Sequence, residues 1–318
     1  MAQKYTVSHD SSLLEYLFEL FPDQSRTGVK SYLKNARVSV NGETNTSFDC
    51  PLRKGDRIEI MSKGASIGRD MKTGAKEQLL KQGIRIVYED EHLIVIDKNA
   101  GVPTIAVRKS TADTKQKTAY SLLTDYMHTE KRAGIKDGTG NYRSPSRVFI
   151  VHRLDRETSG LLVFAKDEYT KNLMQSKWNE TVIERKYEAV IEGRLPQKAG
   201  RMESWLSENE KSFKMSSSPI DNGGLHAVTH YRIIDENSRF SKVVFELETG
   251  RKNQIRVQAA EVLGHPIVGD RKYGSNLNFG GRIALHASIL ALRNPYGGQI
   301  LRFESPLPQS FGRLIQAQ

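Results

Sequence analysis

Nineteen residues, Val148 to Lys166 (V-F-I-V-H-R-L-D-R-E-T-S-G-L-L-V-F-A-K), constrain this chain more than any other stretch. Two apolar runs of strand length, Val148–Val151 and Leu161–Ala165, flank a polar segment. Both are rich in β-branched and aromatic side chains. The pattern predicts two buried strands, with Thr158-Ser159-Gly160 as a turn and Gly160 free to take a positive φ. Asp155 then lies between Arg153 and Arg156 on a loop fixed by rigid elements, a common setting for chemistry. Read locally, Asp155 could equally pair with a neighbouring arginine or cap a turn.

With 318 residues the chain can bury a sizeable core and hold more than one domain. Lys and Arg exceed Asp and Glu by 48 to 37, a net charge of +11. Such an excess suits a polyanionic partner, nucleic acid ahead of a membrane surface. Cys50 is the single cysteine, which excludes an intrachain disulfide and a cysteine-based zinc site. The first ten residues lack a signal peptide's apolar core, and no apolar run is long enough to span a bilayer. A cytoplasmic protein is therefore expected.

Helical spacing appears at Ser11–Leu20 and again at Ser25–Asn35. In the second, Val29, Tyr32 and Leu33 face inward while Arg26, Lys30 and Lys34 face outward. That basic face could follow a phosphate backbone, or it could simply be solvated. Val38 to Gly42 reads as a strand entering a tight turn, and Leu52 to Ile60 as a turn entering a closing strand. Residues 1–62 thus form a small α/β unit. Glycines at 64, 68 and 74 mark 63–83 as a linker, and 84–318 as the main domain.

In that domain, Ile84–Tyr88 and His92–Asp97 read as a strand pair. A polar loop runs from Val107 to Arg147, broken by a helix at Tyr120–His128 and exposed from Lys131 to Ser146. A helix is expected at Glu168–Trp178, and strands at Lys186–Gly193, His226–Ile234 and Ser241–Glu248. Glu208–Pro219 reads as a hairpin tip. Thr249-Gly250-Arg251 turns into a helix, Asn253–Leu263, which Gly264 ends. Further strands follow from Arg282.

Several motifs fail. His226 and His230 have helical metal-ligand spacing but sit in a strand pattern, without a third ligand. No metal site is expected. No P-loop, dinucleotide fingerprint or nucleophile elbow occurs.

Four ordered blocks carry a resemblance. H-R-L-D-R-E-T-S-G-L-L-V-F-A-K (152–166) closely resembles the catalytic motif of the RluA-type pseudouridine synthases. Y-E-D-E-H leading to D-K-N-A-G (88–101) resembles that family's opening strand pair. K-Y-E-A-V-I-E-G (186–193) resembles its tyrosine block. T-G-R-K-N-Q-I-R (249–256), followed by G-H-P-I-V-G-D-R-K-Y-G, resembles a further block of that family. The A-L-H-A-S segment and the S-P-L-P after it also fit, so the likeness covers about Ile84 to Pro308. Within Ser11–Met61, S-R…V-x-V-N-G…L-x-x-G-D-x-I resembles the RNA-binding domain named after small-subunit ribosomal protein S-four.

The resemblance implies an α+β fold, a mixed and mostly antiparallel sheet with peripheral helices, behind the small N-terminal α/β domain. It implies an isomerase that converts specific uridines of RNA to pseudouridine. The substrate implied is large-subunit ribosomal RNA ahead of tRNA, and the protein a monomer. Asp155 would be the nucleophile, Tyr187 the ring stacked on the base and Arg256 the ion-pair partner of Asp155. Ile255 would line the base pocket beside Arg251, and Arg153 would take the flipped base's place. Arg26, Lys30 and Lys34 would contact the RNA backbone.

These residue types suit the chemistry. The ribose–nitrogen bond breaks, the uracil turns, and it rejoins through carbon five. An aromatic face holds the detached base without fixing one orientation, and base flipping delivers the nucleotide. A bidentate arginine would orient the attacking carboxylate. No redox step occurs, so no cofactor is expected. Two departures stand out: Asn253 where the family often has His, and Asn99 where it often has Pro. Neither is expected to bear on the chemistry. The competing readings are a non-catalytic RNA-binding protein and a hydrolase using Asp155 with Glu157, which needs a second carboxylate across the cleft.

Overall fold

A computed structural model describes residues 3–34, 37–60, 67–106, 117–132 and 147–316. The chain divides into two compact units, residues 1–82 with 122–148, and residues 83–121 with 149–318.

The first unit opens with β1 (Gln3–Thr6), β2 (Ser11–Ser12), α1 (Leu13–Leu20) and α2 (Arg26–Lys34). Ser12 caps α1, its hydroxyl accepting from the Glu15 amide and donating to the Glu15 carboxylate. Strands β3 (Val38–Val40), β4 (Glu43–Thr44), β5 (Pro51–Leu52) and β6 (Arg57–Ile60) follow. Asn41 and Gly42 both have positive φ, the backbone of a tight hairpin between β3 and β4. The strands order as β1-β6-β3-β4, all antiparallel, over a core that includes Leu13, Leu17, Val29, Leu33 and Ile58. On α2, Arg26, Lys30 and Lys34 are all exposed.

The expected linker needs correction, because Ile67–Lys81 is a helix, α3. Its glycines lower helix propensity by about 1 kcal/mol each, which the surrounding helix formers overcome. The expected exposed loop, Lys131–Ser146, lies outside the described residues except for 131 and 132, as do 107–116.

The second unit is built on one eleven-stranded sheet. Its strands are β7 (Ile84–Glu89), β8 (Leu93–Lys98), β9 (Phe149–Ile150), β10 (Ser159–Ala165), β11 (Val182–Glu192) and β12 (Ala199–Glu208). They continue with β13 (Met215–Ser218), β14 (Leu225–Glu236), β15 (Phe240–Leu247), β16 (Leu285–Arg293) and β17 (Ile300–Glu304). The helices are α4 (Ala119–Arg132), which spans the division between the units, then α5 (Glu168–Ser176), α6 (Trp178–Thr181), α7 (Gln254–Glu261) and α8 (Gln309–Gln316). Strand order is β13-β12-β14-β15-β11-β16-β10-β8-β7, with β17 on β16 and β9 on β10. All pairs are antiparallel except β10 with β16. The fold is therefore α+β on a mixed, mostly antiparallel sheet.

Every residue of β10 is buried, which is why its sequence runs apolar without alternation. Its start departs from the expected turn, since Ser159 and Gly160 already belong to the strand. They pair in parallel with His286 and Ala287. Gly160 has φ 112°, and a Cβ there would lie 2.2 Å from the Ala287 carbonyl oxygen. The glycine is required by this close backbone approach. The expected strand at Val148–Val151 shrinks to Phe149–Ile150, leaving residues 151–158 as the loop that presents Asp155.

Candidate active site

The Asp155 loop is braced from behind by the turn after β8. Thr104 Oγ1 donates to the Leu154 carbonyl at 2.7 Å, and the Gly101 amide donates to the Arg156 carbonyl at 2.7 Å. Lys98 is fully buried beneath the loop. Its Nζ lies within 3.4 Å of five carbonyls, those of Asn99, Val102, Asp155, Arg156 and Thr158. Sequence reasoning missed Lys98, because D-K-N-A-G reads as an ordinary turn and lysine is seldom buried.

Burial pushes the Lys98 ammonium down to about 7, against the opposing pull of Asp155 and Glu157. Between that value and the ordinary lysine value, the unfolded chain keeps a proton that the folded chain has released. Stability of the wild type should therefore rise with pH across that window, relative to Lys98→Met. Denaturant unfolding of both proteins from about pH 6.5 to about pH 9 measures the difference. A difference flat with pH would show that Lys98 stays charged in the fold.

Helix α7 supplies the other wall. Gln254 is satisfied at both ends of its side chain, donating to the Val228 carbonyl and Thr229 Oγ1 and accepting from Thr249 Oγ1 and the Arg251 amide. This locks the N-terminus of α7 onto β14. Arg256 then projects from the first turn of the helix, 6% exposed. Its Nη1 donates to Asp155 Oδ2 at 2.9 Å. The expected two-bond grip on Asp155 is not what the geometry gives. The fork goes to Asp270 instead, with Nε to Oδ2 at 2.7 Å and Nη2 to Oδ1 at 2.8 Å.

Asp270 is 1% exposed, and so is desolvated together with the guanidinium it grips. Burial works against the Arg256 charge, but the Asp270 bonds and then Asp155 overcome it and hold the group firmly protonated. Asp270 lies inside the G-H-P-I-V-G-D-R-K-Y-G block, and nothing local distinguishes it from a turn-capping aspartate.

Asn253 also needs correction, because it touches the central carboxylate. Its Nδ2 donates to Asp155 Oδ2 at 2.5 Å, while its Oδ1 accepts from the Tyr273 hydroxyl at 3.2 Å and Lys272 Nζ at 3.3 Å. Asn253 caps α7 with φ 53°. Asn and His are both enriched in that left-handed region, and both carry an N–H donor. An exchange between them at this position therefore has a physical basis.

Tyr187 lies on β11, next to a register shift at Lys186/Tyr187 against β16. Such irregularities re-aim side chains at strand edges and sites. Burial pushes the Tyr187 phenol up; Arg185 opposes this and the Asp155 charge adds to it. The phenol is therefore neutral near pH 7. Asp155, Tyr187, Arg256, Arg153, Ile255 and Arg251 all line one cleft, of about 400 Å3 with its open mouth. Arg251 is anchored by an Nε bond to the His226 carbonyl at 2.9 Å. Arg26, Lys30 and Lys34 lie in the other unit and are not part of this cleft.

Among the described residues lining the cleft, Asp155 is the one carboxylate. Glu157 does not line it, and pairs with Arg156 at 3.0 Å and more distantly with Arg256 at 3.9 Å. The pair of carboxylates a hydrolase needs is thus not assembled across this cleft. His226 and His230 lie on β14 as expected of a strand, and each faces a different glutamate, Glu203 and Glu248. His152, next to Arg153 in the sequence motif's opening H-R, accepts from the Val163 amide and packs against Trp178. Burial, then the Arg185 charge, pushes it down to about 3, so it is a neutral structural ring.

Residues 92–261 match the family model described as RNA pseudouridylate synthase. The chain belongs to this family. An RNA pseudouridine synthase of Bacillus subtilis, named as uncharacterised, is 33% identical over 283 residues, covering 88% of this chain and 90% of that one. The ribosomal large subunit pseudouridine synthase D of Salmonella typhimurium is 34% identical over 318 aligned positions, covering 95% and 88%. Among solved structures, human RNA pseudouridylate synthase domain containing 4 is similar in fold, with a TM-score of 0.56 at 23% identity over 78% of this chain. The synthase is thus an isomerase acting on RNA. No described helix is long and apolar enough to cross a membrane.

Proposed function

We propose that the synthase isomerises specific uridines of large-subunit ribosomal RNA, with Asp155 as its nucleophile. The observation that carries this reading is the Asp155 carboxylate itself. Among the described residues it is the one acid lining the cleft, aimed by Arg256 and Asn253 into a pocket shared with Tyr187 and Ile255. Relatives named for large-subunit ribosomal RNA align over nearly the whole chain, which supports that substrate.

A stacked uridine exposes neither face to a buried carboxylate, so the nucleotide flips into the cleft. Arg153, exposed at the rim, fills the gap left in the RNA. Asp155 attacks the nucleoside, at the anomeric carbon or at carbon six of the ring, and the ribose–nitrogen bond breaks. The uracil turns against the Tyr187 ring, with Ile255 beneath it, carbon five bonds to the ribose, and the bond to Asp155 breaks, freeing the carboxylate. Carbon five gives up its proton, which Tyr187 helps to move, and the ring nitrogen gains one. Product and substrate have the same formula, so no redox cofactor is called for. Arg251 holds the strand at the mouth. Tritium release from ribosomal RNA labelled at carbon five of uridine tests the reaction. Release of free uracil instead would contradict it.

The N-terminal unit is read as an RNA-binding domain. Arg26, Lys30 and Lys34 recur every four residues along α2, one exposed cationic stripe. Replacing all three by Ala in the full chain should weaken binding and flatten the log–log salt slope by roughly 0.7 per lost phosphate contact to a single strand. An unchanged slope would reduce that stripe to solvated surface. We read the enzyme as a monomer, since one chain supplies every named residue of the cleft, and as cytoplasmic, like the bacterial setting of the relatives it matches.

A further inference from the structure

Arg256 lines a second cleft as well as the first. This one measures about 1000 Å3 with its mouth and is walled by the segment that follows Gly269. Among the described residues its cations are Arg156, Arg256, Arg271, Lys272 and Arg282, and its acids are Glu157 and Asp270. Both acids are engaged, Asp270 by the Arg256 fork and Glu157 by Arg156. Five cations against two carboxylates leave an excess of three positive charges.

Arg282 is the informative member. It is partly buried, and its contacts are all neutral: Nη2 donates to Ser159 Oγ at 2.8 Å, Nε donates to the Ile283 carbonyl at 3.3 Å, and the Phe311 ring lies 5.0 Å away. Burial lowers its pKa, and no carboxylate works against that shift. A guanidinium has five N–H donors, and these contacts use two of them. A half-buried cation with neutral partners and spare donors, on the wall of an electropositive cleft, is configured for an anion.

We propose that the second cleft holds a phosphodiester of the RNA strand adjoining the target uridine, gripped by Arg282 with Arg271 at the rim. This rests on the reading of the first cleft as the uridine site. The shared wall at Arg256 is what ties the two clefts to one strand. A cleft of this size also accepts the flanking nucleoside, so it would bias which neighbours of a uridine are tolerated.

The test compares wild type with Arg282→Gln, Arg282→Lys and Arg271→Gln in binding a large-subunit ribosomal RNA transcript across a salt series. Each Gln variant should bind more weakly and lose roughly 0.7–0.9 of log–log slope, while Arg282→Lys keeps most of its slope because the charge remains. The loss should appear in affinity rather than in the single-turnover rate at saturating enzyme. Arg271 is exposed, so its variant reads the site even if Arg282→Gln disturbs Ser159 and the fold. Slopes unchanged in both Gln variants would overturn the proposal. So would inorganic phosphate protecting the wild type but not Arg282→Gln while the slopes stay unmoved, since the site would then take a free anion. A wild type that isomerises uridine while these slopes do not move keeps the enzyme reading and removes this proposal alone. A wild type that fails to isomerise removes the uridine site first.

Discussion

Asp155→Asn should abolish isomerisation while leaving RNA affinity near that of the wild type. The substitution keeps the side chain's shape, and its amide oxygen can still accept from Arg256 and Asn253. What disappears is the attacking charge. Loss of a nucleophile typically costs on the order of 10⁴-fold or more in rate. Tritium release at saturating RNA measures it, with filter binding as the control for affinity. Turnover within about tenfold of wild type, a cost of about 1.4 kcal/mol, would mean that Asp155 only shapes the loop.

The second large effect concerns the pair behind the nucleophile. Arg256 has one N–H on Asp155 and two on Asp270, so its direction is set by Asp270. Arg256→Lys keeps a charge but cannot fork to one carboxylate while reaching another. Asp270→Asn places an amide donor where the guanidinium also donates, breaking the fork from the other side. Each change should lower the saturated rate by about a hundredfold, the usual cost of displacing a reacting group by about 1 Å. Because the two act through one geometry, the double variant should be hardly worse than either single one. Losses that multiply would show that Asp270 acts independently of Arg256. Removing one partner of a buried pair also costs about 3–5 kcal/mol of stability, so each rate must be measured on protein shown to be folded.

What was legible in the sequence follows from locality. The strand at Leu161–Ala165 and the helix expected at Asn253–Leu263 are each set by residues a few positions apart, and both appear, the helix as Gln254–Glu261, ending three residues short of Gly264. Asp155, Tyr187 and Arg256 were found through motif resemblance, because they converge from a loop, a strand and a helix that periodicity cannot bring together. Three contacts stayed hidden for the same reason. Lys98 reads as a turn lysine until 57 to 60 residues of separation are closed beneath the Asp155 loop. Asn253 looks peripheral until its amide meets Asp155. Asp270 takes the fork that a pairwise view assigned to Asp155. At Gly160 the residue type was read correctly and its cause was not. The positive φ serves a parallel strand contact, and no turn requires it.

The most direct measurement is a nucleotide-resolution map of pseudouridine in large-subunit ribosomal RNA from cells lacking this chain. The account predicts that one or a few positions lose their pseudouridine. Wild-type protein should restore them, and Asp155→Asn, expressed at the same level, should not. A map identical with and without the protein, or one restored equally well by Asp155→Asn, would contradict the account.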